Sequence, residues 1–141
     1  MNNDCASTSD GWPESGPTVS LIGVVDDDES VRDAMSSLIR SAGYNCIAFP
    51  SAEAFLASDD IHSTDCTVLD NGMPGLSGLE LQLRLREMNY RVPIIFVTAH
   101  AEDFVRTQAL ARGAIAFLSK PCSDEALLGA IQAAIASHSR N

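Results

Sequence analysis

The 141-residue sequence predicts a doubly wound α/β domain, a five-stranded parallel sheet with five helices. Three observations predict it. Short β-branched runs alternate five times with helical patterns between Val19 and Ser137. The strand runs are mostly apolar rather than alternating, as strands covered on both faces are. The amphipathic helices between them supply the cover, and such crossovers are right-handed.

Each element follows in order. Val19–Val25 is the first strand and stops at Asp26-Asp27-Asp28. A helix follows, with Val31, Met35, Leu38 and Ile39 on one face and Gly43 closing it as a C′ glycine. Tyr44–Phe49 is the second strand, broken by Pro50. Ser51 then caps a short helix from Ala52 to about Ser58, with Ala54 and Phe55 facing inward. Cys66–Leu69 is the third strand and ends on Asp70. Asn71–Gly78 is full of breakers and reads as a loop. Leu79, Leu81, Leu83 and Leu85 alternate, yet they also form i,i+4 pairs. Helix is preferred because Leu, Glu, Gln and Arg are good helix formers and no β-branched residue intervenes. Pro93–Val97 is the fourth strand, ending on Thr98, and a helix runs from about Glu102 to Arg112 before Gly113. Ile115–Leu118 is the fifth strand, ending at Ser119-Lys120-Pro121. The last helix opens at Ser123, with Asp124 and Glu125 in its first turn.

Composition narrows the function. Nine basic against 19 acidic residues give a net charge of −10, a field that repels phosphate backbones and speaks against nucleic-acid binding by this chain. Mean hydropathy is +0.04, and no apolar run approaches the roughly 20 residues that span a bilayer. Met1–Ser20 has neither the basic start nor the apolar stretch of a signal peptide. Residues 1–18, with Trp12 as their one aromatic residue, read as a disordered tail, residues 19–138 as the domain, and 139–141 as a short C-terminal tail. Cys5, Cys46, Cys66 and Cys122 are scattered without C-x-x-C spacing, which argues against a zinc site or a disulfide framework. The expectation is a cytoplasmic, acidic domain with reduced thiols.

Ligands of such sheets bind outside the carboxyl ends of the strands. Those ends carry Asp26, Asp27 and Asp28, then Asp70, Thr98 and Lys120. Taken singly, each has an ordinary alternative: solvated punctuation for Asp26–Asp28, a turn residue for Asp70, a helix N-cap for Thr98, a surface lysine for Lys120. Jointly placed at one edge, the carboxylates repel one another unless compensated. A hard divalent cation with oxygen ligands and the lysine ammonium would compensate them, and Mg²⁺ is commonly held by one or two carboxylates beside a substrate phosphate. The edge therefore reads as a magnesium-dependent phosphate site.

Four stretches carry a family resemblance: Val24–Arg32 (VVDDDESVR), Val68–Gly78 (VLDNGMPGLSG), Val97–His100 (VTAH) and Phe117–Pro121 (FLSKP). In this order and at these strand ends, the chain resembles a response-regulator receiver domain of two-component signalling, over about Val19 to Ser137. The resemblance implies a flavodoxin-like sheet in strand order 2-1-3-4-5. It implies that Asp70 is the phosphoacceptor for a histidine kinase's phosphohistidine, and that Asp26, Asp27, Asp70 and the Gly72 carbonyl hold Mg²⁺ directly or through water. Thr98 and Lys120 would bind phosphoryl oxygens, Phe117 would be the switch aromatic, and Lys120–Pro121 would be a cis peptide. The output would be a switch on the face of the fourth helix, fifth strand and fifth helix. That face carries Asp103, Arg106, Arg112, Asp124 and Glu125, a mixed set compatible with a phosphorylation-dependent homodimer and equally with a solvated face.

The chain also departs from the family pattern. Gly72 stands where the family is often larger, which opens the site to water. His100, two residues after Thr98, either orients or obstructs a hydrolytic water, or is an exposed loop histidine. Cys122 replaces a common phenylalanine and reads as a buried small hydrophobe rather than a redox switch. The partners implied are a sensor histidine kinase or phosphotransfer protein upstream and a protein target or a missing output domain downstream. The last five residues, Ser137–Asn141, are too few for an output domain, and the style of the sequence resembles receivers that precede a helix-turn-helix domain. Two other readings fit less well. An aspartate-nucleophile phosphatase of the haloacid-dehalogenase type carries Gly-Thr, or a near equivalent, where Glu29-Ser30 stands. A receiver-like interaction module working without phosphorylation has no need of Asp70, Thr98 and Lys120 together.

Overall fold

The computed structural model describes residues 19–138. The expected tails at 1–18 and 139–141, with Trp12 and Cys5, lie outside the described residues. The elements are β1 (Leu21–Val25), α1 (Glu29–Ser41), β2 (Asn45–Phe49), α2 (Ala52–Ala57), a 3-10 turn (Ile61–Ser63), β3 (Cys66–Leu69), α3 (Gly78–Glu87), β4 (Ile94–Thr98), α4 (Asp103–Ala111), β5 (Ala116–Ser119) and α5 (Asp124–His138). All neighbouring strands pair in parallel, in the order β2-β1-β3-β4-β5. The strand–helix alternation predicts the doubly wound parallel sheet, and the family resemblance implies the flavodoxin-like order found here.

Alternate strand residues feed two cores. Val25, Leu69, Phe96 and Phe117 face α2, α3 and α4, where Phe55, Leu81, Leu85, Val105 and Ala109 pack on them. Ile22, Val24, Val68, Ile95 and Val97 face α1 and α5, meeting Ile39, Leu127, Ile131 and Ala134. The period-2 pleat sends successive residues of a strand to opposite faces, so a continuous apolar run serves both layers.

Helix ends follow their local chemistry. Asp28 caps α1 by accepting from the Ser30 and Val31 amides, and Ser51 caps α2 by accepting from Ala54. Gly43, just past α1, has φ +98, a conformation that favours glycine. The α3 start differs from expectation. Gly78 belongs to the helix rather than to the loop, because Ser77 just before it and Glu80 two residues after it form a reciprocal capping box. The leucine ambiguity resolves as helix: Leu81 and Leu85 are buried and Leu83 is 43% exposed. Val19 and Ser20 fall outside β1, whose parallel pairing starts at Leu21 opposite Asn45. Among the described residues no helix is long and apolar enough to cross a membrane, and Cys46, Cys66 and Cys122 are free thiols.

Candidate functional site

The register places one row of residues at the carboxyl edge. Val25 pairs with Leu69, Leu69 with Phe96, and Phe96 with Phe117. Asp26 therefore emerges from β1 beside Asp70 from β3, with the Asp70 amide bonded to the Val25 carbonyl at 3.0 Å. Thr98 closes β4, and the Lys120 amide donates to its carbonyl at 2.9 Å. The Lys120–Pro121 peptide that follows is cis.

Carboxylate oxygens of Asp26, Asp27 and Asp70 lie within 4.8 Å of one another. Asp26 is 1% exposed and Asp70 6% exposed, whereas Asp27 faces solvent. Buried carboxylates need partners. Asp26 Oδ1 accepts from the Asp28 amide at 2.9 Å and Oδ2 from Lys120 Nζ at 2.7 Å. Asp70 Oδ1 accepts from the Gly72 amide at 3.3 Å, and its Oδ2 lies 3.6 Å from the same Nζ. Burial alone would lower the Lys120 pKa, but the Asp26 hydrogen bond and the charges of Asp70 and Asp26 outweigh it and hold the ammonium above the ordinary lysine value.

The three consecutive aspartates divide their work. Asp26 and Asp27 turn to the edge, while Asp28 is occupied by the α1 N-terminus. The Ser30 hydroxyl and the Val31 amide hold the Asp28 carboxyl below its usual range. Thr98 is fully buried, and its Oγ1 accepts from the His100 amide at 3.0 Å rather than capping a helix. Phe117 is buried and stacked on Phe96 at 5.8 Å, with the Arg106 guanidinium 6.0 Å from its ring centroid. Arg112, grouped above with the outer face, instead points toward α3, where its Nη1 reaches the Leu79 carbonyl at 3.4 Å.

Gly72 does not leave an opening. The His100 imidazole stands where a side chain at position 72 would go. Cys122 is half-buried and lines an apolar groove of about 580 Å³ with Val31, Met35 and Leu127. Burial pushes its thiol up, away from reactivity.

Several supporting residues carry no sequence signal that assigned them a role. Arg32 Nη1 donates to the Asp26 carbonyl at 2.8 Å and fixes the turn after β1. Glu53 Oε2 accepts from the Leu76 amide at 3.0 Å, and Asn71 Oδ1 from the Leu79 amide at 3.0 Å, so the loop after Asp70 is held at both ends. A Cβ on Gly78 would come within 2.5 Å of the Asp70 carbonyl oxygen, so glycine is required directly behind Asp70.

Three hard oxygen donors converging beside one ammonium fit a hard divalent cation such as Mg²⁺ and do not fit a soft metal. The same edge offers a buried hydroxyl and an ammonium to an anion next to a carboxylate nucleophile.

The chain is similar to known proteins. The family profile of the response regulator receiver domain matches residues 22–132. Nodulation protein W of Bradyrhizobium diazoefficiens is 44% identical over 124 residues, 88% of this chain and 55% of that protein. The response regulator protein TodT of Pseudomonas putida is 41% identical over 116 residues, 82% of this chain and 51% of that protein. The structure of the response regulator StyR superposes with a TM-score of 0.81 at 40% identity, covering 87% of this chain and 62% of that one. The chain spans about half the length of these two sequence relatives. With the family profile covering most of the fold, the chain belongs to the response-regulator receiver domains, which are signalling domains rather than classical enzymes.

Proposed function

We propose that Asp70 accepts a phosphoryl group from the phosphohistidine of a sensor histidine kinase or phosphotransfer protein. A carboxylate oxygen of Asp70 attacks phosphorus, the phosphorus–nitrogen bond breaks, and the imidazole leaves with the bonding pair. Phosphoryl transfer asks mainly for positioning and charge neutralisation. The observation that carries this reading is Lys120 Nζ, 2.7 Å from Asp26 and 3.6 Å from Asp70, beside the three converging carboxylates.

Asp26, Asp27, Asp70 and the Gly72 carbonyl would hold Mg²⁺, directly or through water. When bound, the ion supplies positive charge against the phosphoryl oxygens. Lys120 neutralises a further oxygen and keeps Asp26 oriented. The Thr98 hydroxyl, already accepting from His100, keeps its own proton free to donate to a phosphoryl oxygen.

The added charge on Asp70 draws Thr98 and Lys120 toward it, and Phe117 follows. The output is a population shift on the α4-β5-α5 face, where Phe104 is exposed. A hundredfold preference of the phosphoryl group for the active state corresponds to about 2.7 kcal/mol. That face would form a phosphorylation-dependent homodimer or meet a downstream target. An output domain is the other recipient of the signal we propose. We place this activity in the cytoplasm.

Intact-protein mass after incubation with acetyl phosphate and Mg²⁺ tests the reading. We expect a gain of one phosphoryl group that is lost with EDTA and absent in Asp70→Asn. No gain, and no beryllofluoride binding by a folded protein, would leave an interaction module that works without phosphorylation.

A further inference from the structure

A polar cavity of about 240 Å³ opens at the amino edge of the sheet, at the opposite end of the strands from Asp70. The second half of α3, residues 92–94 at the start of β4, the turn into β5 and Ser137 near the end of α5 form its walls. Arg86, Arg91 and Arg112 line it, three of the chain's nine basic residues, and no described residue lining it is acidic. None of the three has a carboxylate partner among the described residues, where the ion pairs belong to Lys120. Arg86 answers the carbonyl end of α3 from its last turn. Arg91 lies in the loop beyond, and Arg112 reaches from the end of α4 to the Leu79 carbonyl at 3.4 Å. In a chain of net charge −10, this cavity is a local positive field.

Gln82 is an independent sign of a ligand. It is 1% exposed and forms part of the cavity wall. Its Nε2 donates to the Ala109 carbonyl at 3.0 Å, which fixes the amide, since the flipped form would set two oxygens together. Oε1 is then left without a partner, the one such buried side-chain oxygen or nitrogen among the described residues. A buried acceptor without a donor is destabilising, and folds rarely keep one.

We propose that this cavity binds a phosphate group that brings a hydroxyl proton with it, as free hydrogenphosphate or as the phosphomonoester of a small polyol. The guanidinium groups of Arg86, Arg91 and Arg112 take the phosphate oxygens, for which their planar forks of N–H donors are suited. Gln82 Oε1 accepts the hydroxyl, which belongs to the phosphate itself in hydrogenphosphate and to the polyol in the monoester. Positive side chains alone would take any oxyanion of the same charge. The unpartnered acceptor is what selects one that carries a donor, because an anion without one leaves Oε1 as it stands. The cavity is smaller than the roughly 300–1,000 Å³ of pockets for drug-sized ligands, which suits a small molecule. The site shares no residue with the acidic edge and does not depend on the chemistry of Asp70.

The test titrates the ¹⁵N-labelled chain in EDTA, at neutral pH and constant ionic strength, with inorganic phosphate, glycerol 3-phosphate and sulfate. Phosphate and glycerol 3-phosphate should shift the amides of Arg91, Gly113 and Ile115 saturably. Sulfate, a tetrahedral dianion without a hydroxyl, should bind about tenfold more weakly or worse. Whichever of the two phosphates binds tighter identifies the source of the group. Arg91→Gln and Arg112→Gln should each weaken binding by about tenfold. Arg84→Gln removes the same charge from α3 outside the cavity and should leave it unchanged. Gln82→Met should abolish the preference for phosphate over sulfate, and the arginine variants carry the test if that protein does not fold. Equal binding of sulfate and phosphate to the wild-type chain overturns the proposal, as does a loss in Arg84→Gln equal to that in Arg91→Gln. Shifts confined to Thr98 and Lys120, or no saturable shift at all, overturn it as well.

Discussion

Lys120 Nζ donates a 2.7 Å hydrogen bond to Asp26 Oδ2 across 94 positions of sequence. Two strand ends are thereby joined by one ion pair at the carboxyl edge of the sheet. The same ammonium is 3.6 Å from Asp70, so one cation serves two buried carboxylates, with Asp27 beside them. The compensation is incomplete, and the metal-free fold carries residual repulsion at this edge.

Neutralising one carboxylate should therefore stabilise the metal-free protein. Asp70→Asn is expected to gain about 1 kcal/mol over wild type in EDTA, read from urea unfolding. Mg²⁺ at a hundred times its dissociation constant should add about 2.7 kcal/mol to wild type and much less to the variant. Equal magnesium effects in the two proteins would contradict a cation site that includes Asp70.

The leucines of α3 make a second test. Leu81 is fully buried against the core that holds Phe96, while Leu83 is 43% exposed. Leu81→Ala should lose about 2–5 kcal/mol through lost burial and the cavity it leaves. Leu83→Ala should change stability by about 0.5 kcal/mol or less. Comparable losses would mean that the helix presents a different face.

Alkaline pH makes a third. Burial pushes the Cys66 thiol from 9.0 to about 12. The folded state thus keeps its proton where the unfolded chain loses it. Stability is complete below about pH 9 and falls as pH rises toward 12. Cys66→Ala should flatten that decline by up to about 1.4 kcal/mol per pH unit, measured by urea unfolding between pH 9 and 10.5. Burial likewise raises Tyr90 and Cys46, which steepen the fall in both proteins, so the difference in slope isolates Cys66. Parallel slopes would contradict a protonated, buried Cys66.

Much of the site was legible because the strand runs stop abruptly on polar residues. A parallel sheet aligns those stops, so Asp26, Asp70, Thr98 and Lys120 share an edge whatever their separation in sequence. The leucine run was legible only through propensity, since Leu79–Leu85 satisfies both periods. The division of labour among Asp26, Asp27 and Asp28 could not be read, because a helix N-cap and a metal ligand draw on the same residue type. Glu53 on Leu76 joins α2 to a loop 23 positions on, and His100 on Gly72 joins two loops 28 positions apart, both by tertiary packing alone. No local pattern encodes such contacts. The 3-10 turn at Ile61–Ser63 is three residues long and too short to carry a period.

The most direct measurement is the position of the phosphoryl group. Borohydride reduces an acyl phosphate of aspartate to homoserine, which peptide mass mapping locates. After loading with acetyl phosphate and Mg²⁺, we predict homoserine at position 70 and unmodified aspartate at positions 26, 27 and 28. Homoserine at Asp26 or Asp27, or its absence from position 70 in a protein that has gained phosphoryl mass, would contradict the account.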